Sequence, residues 1–154
     1  MYLFHVDGLG PDLESIRALF REYAEFVGAG LPLHDFEGEL VRLPGEYGPP
    51  DGRLVMVVEK GDAIGCVAVR RLGSATCEMR RLYVKATFRG AGIARALAER
   101  AVTAARRMGY RRMQLETLPT MWEARRLYRS MGFQEITPYY QNPLPGAVYM
   151  ELRL

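Results

Sequence analysis

Apolar residues recur along this chain in two rhythms. Leu13, Ile16, Phe20, Tyr23 and Val27 return every third or fourth residue, which predicts an amphipathic helix that Gly28 stops. Pro11 suits the first turn of that helix, where its missing N–H costs nothing. A shorter helix is predicted after Asp35, with Phe36, Leu40 and Leu43 on one side. Ile93, Leu97, Ala101, Ala105 and Met108 form a narrow stripe on a helix running from about Gly90 to Met108 and ended by Gly109. A last helix over 119–131 carries Ala124, Leu127, Tyr128 and Met131 and stops at Gly132.

Between these helices lie runs rich in strand formers, at 2–6, 53–59, 63–71, 76–84 and 112–117, then around Ile136 and at 147–152. Gly61-Asp62 is a hairpin turn signal, and the segment 44–52 (PGEYGPPDG) reads as an irregular loop. The predicted order is β-α-α-β-β-β-α-β-α-β-β. It assigns the chain to the α/β class, with a mostly antiparallel mixed sheet and helices on both faces. At 154 residues and 49% hydrophobic, the expectation is one domain over 1–154 with a full core.

Charge adds a clue that the pattern lacks. The net charge is +3, but residues 1–69 hold 12 acidic against 5 basic side chains, while residues 70–129 hold 4 against 15. A basic middle suits a polyanionic ligand, and an acidic first part suits a cationic one; solvated helix faces of unlike sign explain the same numbers. Nucleic acid is not expected, because no aromatic platform or reading motif interleaves the basic residues. No apolar stretch approaches the roughly 20 residues of a membrane helix, and the first residues lack the pattern of a signal peptide. Cys66 and Cys77 are expected as buried thiols in a cytoplasmic protein. With two histidines and no ligand spacing, no metal site is expected.

The candidate chemistry lies between the strand ending at Val84 and the following helix, in Arg89-Gly90-Ala91-Gly92-Ile93-Ala94. Small residues let the backbone approach a ligand, and the first N–H groups of a helix point at it without internal partners. A pyrophosphate fits such a turn; so does no ligand at all. A P-loop would need Gly-Lys-Ser/Thr, but Ile93 and Ala94 follow Gly92. A dinucleotide fingerprint would need Gly or Ala where Arg95 stands, and an opening parallel βαβ unit rather than three antiparallel strands.

These residues resemble the cofactor motif of the GNAT superfamily of N-acyltransferases, Arg/Gln-x-x-Gly-x-Gly/Ala. Arg81-Leu82-Tyr83-Val84 is similar to that family's preceding strand, and Ala124-Arg125-Arg126-Leu127-Tyr128 through Gly132-Phe133 to its A-x-x-L-Y-x-x-x-G-F segment. The resemblance implies acetyl-CoA as co-substrate. The backbone of Leu82, Tyr83 and Val84 would hold the pantetheine arm, and the N–H groups of 89–94 the pyrophosphate. It further implies that strands 76–84 and 112–117 form a splayed central pair with a slot for the thioester. Trp122 departs from the pattern, because many relatives carry a cofactor-contacting Asn there.

The same resemblance gives Tyr128 as the acid facing the thioester sulfur. Glu78, first, and Glu116 stand on the two flanking strands as the base or as acceptor ligands. Tyr139, Tyr140 and Asn142 in the segment 138–146, with the segment 28–36, are expected to wall the acceptor site. The expected acceptor is a small-molecule primary amine; a protein amino group, a non-catalytic acyl-CoA sensor and a homodimeric assembly stay open.

Overall fold

The computed structural model describes residues 1–6, 11–28, 35–141 and 143–154. Its strands are β1 (Tyr2–Val6), β2 (Arg53–Glu59), β3 (Asp62–Arg71), β4 (Thr76–Val84), β5 (Arg112–Thr117), β6 (Gln134–Ile136) and β7 (Val148–Arg153). They join in one sheet of order β1-β2-β3-β4-β5-β7-β6, in which every pairing but β4–β5 is antiparallel. The helices are α1 (Pro11–Val27), α2 (Phe36–Arg42), α3 (Ile93–Arg107) and α4 (Trp122–Ser130). Element order and class match the pattern read from the residues.

Three departures from the predicted elements have a local reason. α3 begins at Ile93, not near Gly90, because Gly90 and Gly92 take φ of +88° and +79°, a left-handed conformation no right-handed helix continues. α4 begins at Trp122, because the Met121 N–H first closes a tight turn on the Leu118 carbonyl. The loop 44–52 contains a 3-10 turn, Gly45–Tyr47, that drops the Tyr47 ring edge-on against Phe20 of α1 at 6.0 Å.

The sheet separates two apolar cores. On one face Val67, Val69, Met79, Met113 and Met150 pack with Leu97, Ala101 and Ala105 of α3 and with Tyr128 of α4. On the other, Leu54, Met56, Cys66 and Ala68 pack with Ile16, Leu19 and Phe20 of α1 and Leu40 of α2. Cys66 and Cys77 are free, buried and on opposite faces, so no bridge joins them. Among the described residues no helix is long and apolar enough to cross a membrane.

One irregularity shapes the centre of the sheet. Cys66 pairs with Tyr83 and Ala68 with Arg80, so β4 holds one more residue than β3 over that stretch. The extra residue makes a bulge at Arg81, whose φ is +60°. A bulge turns two successive side chains to one face and bends its strand. Arg80 and Arg81 accordingly both face α1 and α2. Arg81, 5% exposed, donates two 3.0 Å hydrogen bonds to Glu39 of α2 and lies 5.6 Å from the rings of Tyr23 and Phe36. The Cys66 thiol donates to the Arg81 carbonyl at 3.4 Å.

β4 leaves its parallel partner just before this point. Thr76, Cys77 and Glu78 pair with Arg112, Met113 and Gln114, and the pairing ends there, while β5 stays paired with β7 through Thr117. The two central strands therefore diverge towards their C-terminal ends. Removing the Glu39 carboxylate would leave the Arg81 charge buried without its partner. Glu39→Ala is expected to cost about 2–4 kcal/mol of folding stability. The denaturation midpoint should fall in urea with the slope unchanged.

Candidate active site

A cleft of about 580 Å³ opens where β4 and β5 part. β4 contributes Glu78, Arg80 and Leu82, β5 contributes Glu116 and Thr117, and Tyr128 of α4 closes one wall. Strand alternation sorts these groups. Leu82, Thr117 and Tyr128 belong to the α3–α4 face, and Glu78, Arg80 and Glu116 to the α1–α2 face. The cleft thus passes through the sheet and joins its two sides.

Glu78 is 2% exposed, and both of its oxygens are engaged. Arg70 Nε donates to Oε1 at 3.0 Å, and Arg80 Nε lies 3.5 Å from the same atom. Tyr139 Oη donates to Oε2 at 2.7 Å, and Tyr140 Oη donates to it as well. Burial, then the Glu78 charge, pushes both phenols well above the usual tyrosine range, so they remain donors. Burial opposes the Arg70 charge, but Glu78 and the bond to Glu46 outweigh it and hold Arg70 above its ordinary value. Donors thus already occupy both oxygens of Glu78.

Glu116 is set differently. It stands opposite Tyr149 in the β5–β7 register and accepts a hydrogen bond from the Tyr149 hydroxyl at Oε2. No arginine bonds it among the described residues. Tyr149 also carries the rings of Tyr139 and Tyr140, at 4.9 and 6.1 Å, so both glutamates share one aromatic floor.

Tyr128 is the buried residue of α4 and packs against Phe133 at 5.6 Å. Burial pushes its hydroxyl well above the usual tyrosine range. Thr117, which lines the same cleft, is 4% exposed, and its Oγ1 has no hydrogen-bond partner among the described residues. A buried hydroxyl without a partner carries a cost that a polar ligand group in the cleft would remove. Its strand position gave no sign of this role in the sequence. The same holds for Arg80 and Tyr149, whose neighbours come from distant segments.

The turn before α3 fits a pyrophosphate. Gly92 caps the helix without a side-chain hydrogen bond, so the first N–H groups stay open. A Cβ built on Gly90 or Gly92 would meet nothing within 4 Å, which leaves space for a ligand against the backbone. Ala91 is exposed, Ala94 half-buried, and the Ile93 side chain anchors the turn in the core. Arg89 instead folds back. Its Nε donates to the Val84 carbonyl at 3.0 Å, and its guanidinium lies 4.4 Å from the Phe26 ring centre.

Not every predicted residue meets the cleft. Leu82, Glu78, Glu116, Tyr128 and Tyr140 line it; Tyr83, Val84, Tyr139 and residues 89–94 do not. Tyr83 turns to α1 and donates to Glu22 at 3.3 Å. The Val84 carbonyl, expected to face a pantetheine arm, is taken by Arg89. Tyr139 reaches the site through its bond to Glu78 and its ring contacts with Tyr140 and Tyr149. Trp122 is 51% exposed beside Arg126 and is not among the residues that line the cleft. Asn142, and residues 29–34 of the segment 28–36 expected as an acceptor wall, lie outside the described residues. No cluster of metal-ligating side chains occurs among the described residues.

Residues 13–133 match the acetyltransferase (GNAT) family. An uncharacterised N-acetyltransferase of Schizosaccharomyces pombe is 40% identical over 148 residues, 95% of this chain and 91% of that protein. An uncharacterised Escherichia coli N-acetyltransferase, YjgM, is 32% identical over 142 residues, 90% of this chain and 83% of its own. The N-acetylaspartate synthetase of Danio rerio is 36% identical over 102 residues, 65% of this chain and 36% of that protein. Among solved structures, an acetyltransferase of Streptococcus agalactiae has the same fold, with a TM-score of 0.80 at 19% identity over 98% of both chains. The PaiA N-acetyltransferase of Thermoplasma acidophilum, in complex with coenzyme A, gives 0.72 at 18% identity over 99% of both.

The open turn before α3 makes a direct prediction. Acetyl-CoA should raise the melting temperature, as any ligand selective for the folded state does. Gly92→Glu places bulk and negative charge against the helix N-terminus and should remove that shift. A folded Gly92→Glu protein that keeps the full shift would take the anion away from this turn.

Proposed function

Because the chain belongs to the acetyltransferase (GNAT) family, we propose that it transfers the acetyl group of acetyl-CoA to the primary amine of a small-molecule acceptor, by direct attack in a ternary complex. The chain is an acyltransferase with a CoA thioester as co-substrate. The observation that carries the finer reading is the cleft between β4 and β5, which has Tyr128 on one face of the sheet and Glu116 on the other. One proton donor and one proton acceptor thus address a common space from opposite sides. The name of the Danio rerio relative, a synthetase of an N-acetylated amino acid, supports a small acceptor. Two reduced, buried cysteines fit a cytoplasmic setting for this one domain.

The residues divide the work. N–H groups of 90–94 hold the pyrophosphate, without that of Arg89, which already donates to the Ala86 carbonyl at 3.2 Å, and the stretch of β4 beyond Glu78, freed from β5, offers backbone groups to the pantetheine arm. Thr117 Oγ1 gains a partner when the cleft fills. Bound acetyl-CoA supplies the thioester, whose C–S bond breaks as the acceptor's N–C bond forms. Glu116 takes the proton that the attacking nitrogen gives up. Tyr128 holds a proton at Oη for the departing sulfur. Glu78, first in line as base on sequence grounds, becomes a positioning residue in this reading, because its oxygens are occupied by Arg70 and two tyrosines. Tyr140 forms the acceptor wall with them.

Thiol release by the purified protein, measured with acetyl-CoA against a panel of amines, tests the activity. A folded protein that binds acetyl-CoA and acetylates no amine would leave a binding function instead. Tyr128→Phe keeps the ring and removes only the hydroxyl. Cofactor affinity should change little, while turnover falls by about tenfold to a thousandfold, at or below the usual share of one acid–base group. Wild-type turnover in that variant, with chemistry rate-limiting, would end the acid assignment.

The pH profile gives a separate check. Turnover should rise with pH as the acceptor amine loses its proton. Burial raises the Tyr128 hydroxyl above the usual value of about 10, so its proton persists through that rise. No alkaline limb from the acid is expected below about pH 10. Glu116→Gln should lose most near neutrality and recover in part at high pH, where free amine needs no base. Glu78→Gln should show no such recovery. The opposite pattern would return the base role to Glu78.

A further inference from the structure

The charges lining the cleft are unevenly satisfied. Asp35 is paired with Arg42 at 3.1 Å, Glu39 with Arg81 at 3.0 Å, and Glu46 and Glu78 with Arg70 at 2.7 and 3.0 Å. Of the five acidic residues on the wall, only Glu116 is bonded to no arginine among the described residues. A diamine would therefore find one carboxylate ready for it, not two.

Arg80 is the counterpart among the cations. Its guanidinium has five N–H donors. Among the described residues its hydrogen bond is a single one, from Nη1 to Tyr47 Oη at 3.2 Å. The nearest carboxylate oxygens, on Glu78 and Glu39, stand off at 3.5 and 3.7 Å and are held by closer donors. Arg80 is 22% exposed and lines the cleft, so its remaining donors are within reach of a ligand.

Strand geometry sets these two groups opposite each other. Glu78 and Gln114 are partners in the last parallel pair before the strands diverge. Arg80 and Glu116 each lie two residues further, roughly 7 Å along their strands, on the same face. The bulge follows Arg80, so it does not change that face. An arginine with open donors and a carboxylate without a cation thus stand on either side of the gap.

We propose that the acceptor is an amino acid or similar amine bearing a free carboxylate, with Arg80 binding the carboxylate and Glu116 receiving the amino group. This rests on the acetyltransferase reading above and names its substrate class. The Arg80 guanidinium donates to the acceptor carboxylate, and Glu116 takes the proton released by the nitrogen. Arg80 is then a specificity-determining residue. A matching amide, or the same amine without its carboxyl group, leaves the guanidinium donors unused and gains less from the site.

The test measures acetyl-CoA-dependent thiol release by the full chain with matched sets: amino acids, their amides, the corresponding amines without a carboxyl group, and a diamine. Free amino acids should exceed their amides and carboxyl-free amines by at least about tenfold in kcat/KM, at the low end for a hydrogen bond to a charged group. Arg80→Met should cut that preference by about tenfold to a hundredfold, mainly through KM. Arg80→Lys, which keeps the charge and loses the planar fork, should retain part of it and serves where Arg80→Met does not fold. Equal or better turnover of amides, carboxyl-free amines or the diamine would overturn the proposal and leave the acetyltransferase reading intact. A preference that stays at its full wild-type size in folded Arg80→Met, or in Arg80→Lys where Arg80→Met does not fold, would overturn it too. If acetyl-CoA stabilises the chain but no amine reacts, the acetyltransferase reading fails and this proposal falls with it.

Discussion

The site depends on a single extra residue in β4. Arg81 takes a left-handed backbone conformation that a side-chain-bearing residue adopts only when its surroundings hold it there. Those surroundings are Glu39, the Tyr23 and Phe36 rings and the Cys66 thiol. They come from α1, α2 and β3, so contacts from three elements hold the bulge. With the bulge in place, two arginines project to one face and the strand bends where its pairing with β5 ends. An uninterrupted β4 would point Arg81 at the opposite core and could extend its pairing beyond Glu78.

From that divergence follows the division of labour across the sheet. The α3–α4 face offers a phenol and a hydroxyl among apolar side chains, a dry setting that keeps Tyr128 protonated. The α1–α2 face offers carboxylates and guanidiniums over an aromatic floor. Most of those charges neutralise one another at hydrogen-bond distance, which preorganises the wall before a ligand arrives. Tyr139 and Tyr140 belong to this wall because both donate to the buried Glu78, which fixes the C-terminal loop against β4.

Much of this was legible in the residues. Strand bounds at 53–59, 76–84 and 112–117 follow from β-branched and aromatic runs, and the turn before α3 follows from Gly90 and Gly92. The motifs around Arg89 and Tyr128 led to the family. The bulge was not legible, because Cys77 through Val84 reads as near alternation and only the adjacent arginines hint at a slip. The arginine–carboxylate pairing was also hidden. Arg70 meets a residue 24 positions away in Glu46 and one 70 positions away in Tyr140, and no local periodicity encodes such contacts. Glu78 and Glu116 look alike as strand carboxylates; only their neighbours, two arginines in one case and a tyrosine in the other, distinguish them.

The two cysteines gain meaning from the chemistry next to them. Acyl transfer from a CoA thioester leaves a free thiol in the cleft at every turnover. Under mild oxidation, an enzyme with an accessible cysteine there would be open to capture as a mixed disulfide with its own product. Cys66 and Cys77 are each wholly buried, on opposite faces of the sheet. Burial pushes the Cys66 thiol far up and the Cys77 thiol up to about 12, so neither offers the thiolate that exchange requires. The fold therefore insulates this chain from redox cross-talk with the pool of coenzyme on which it draws.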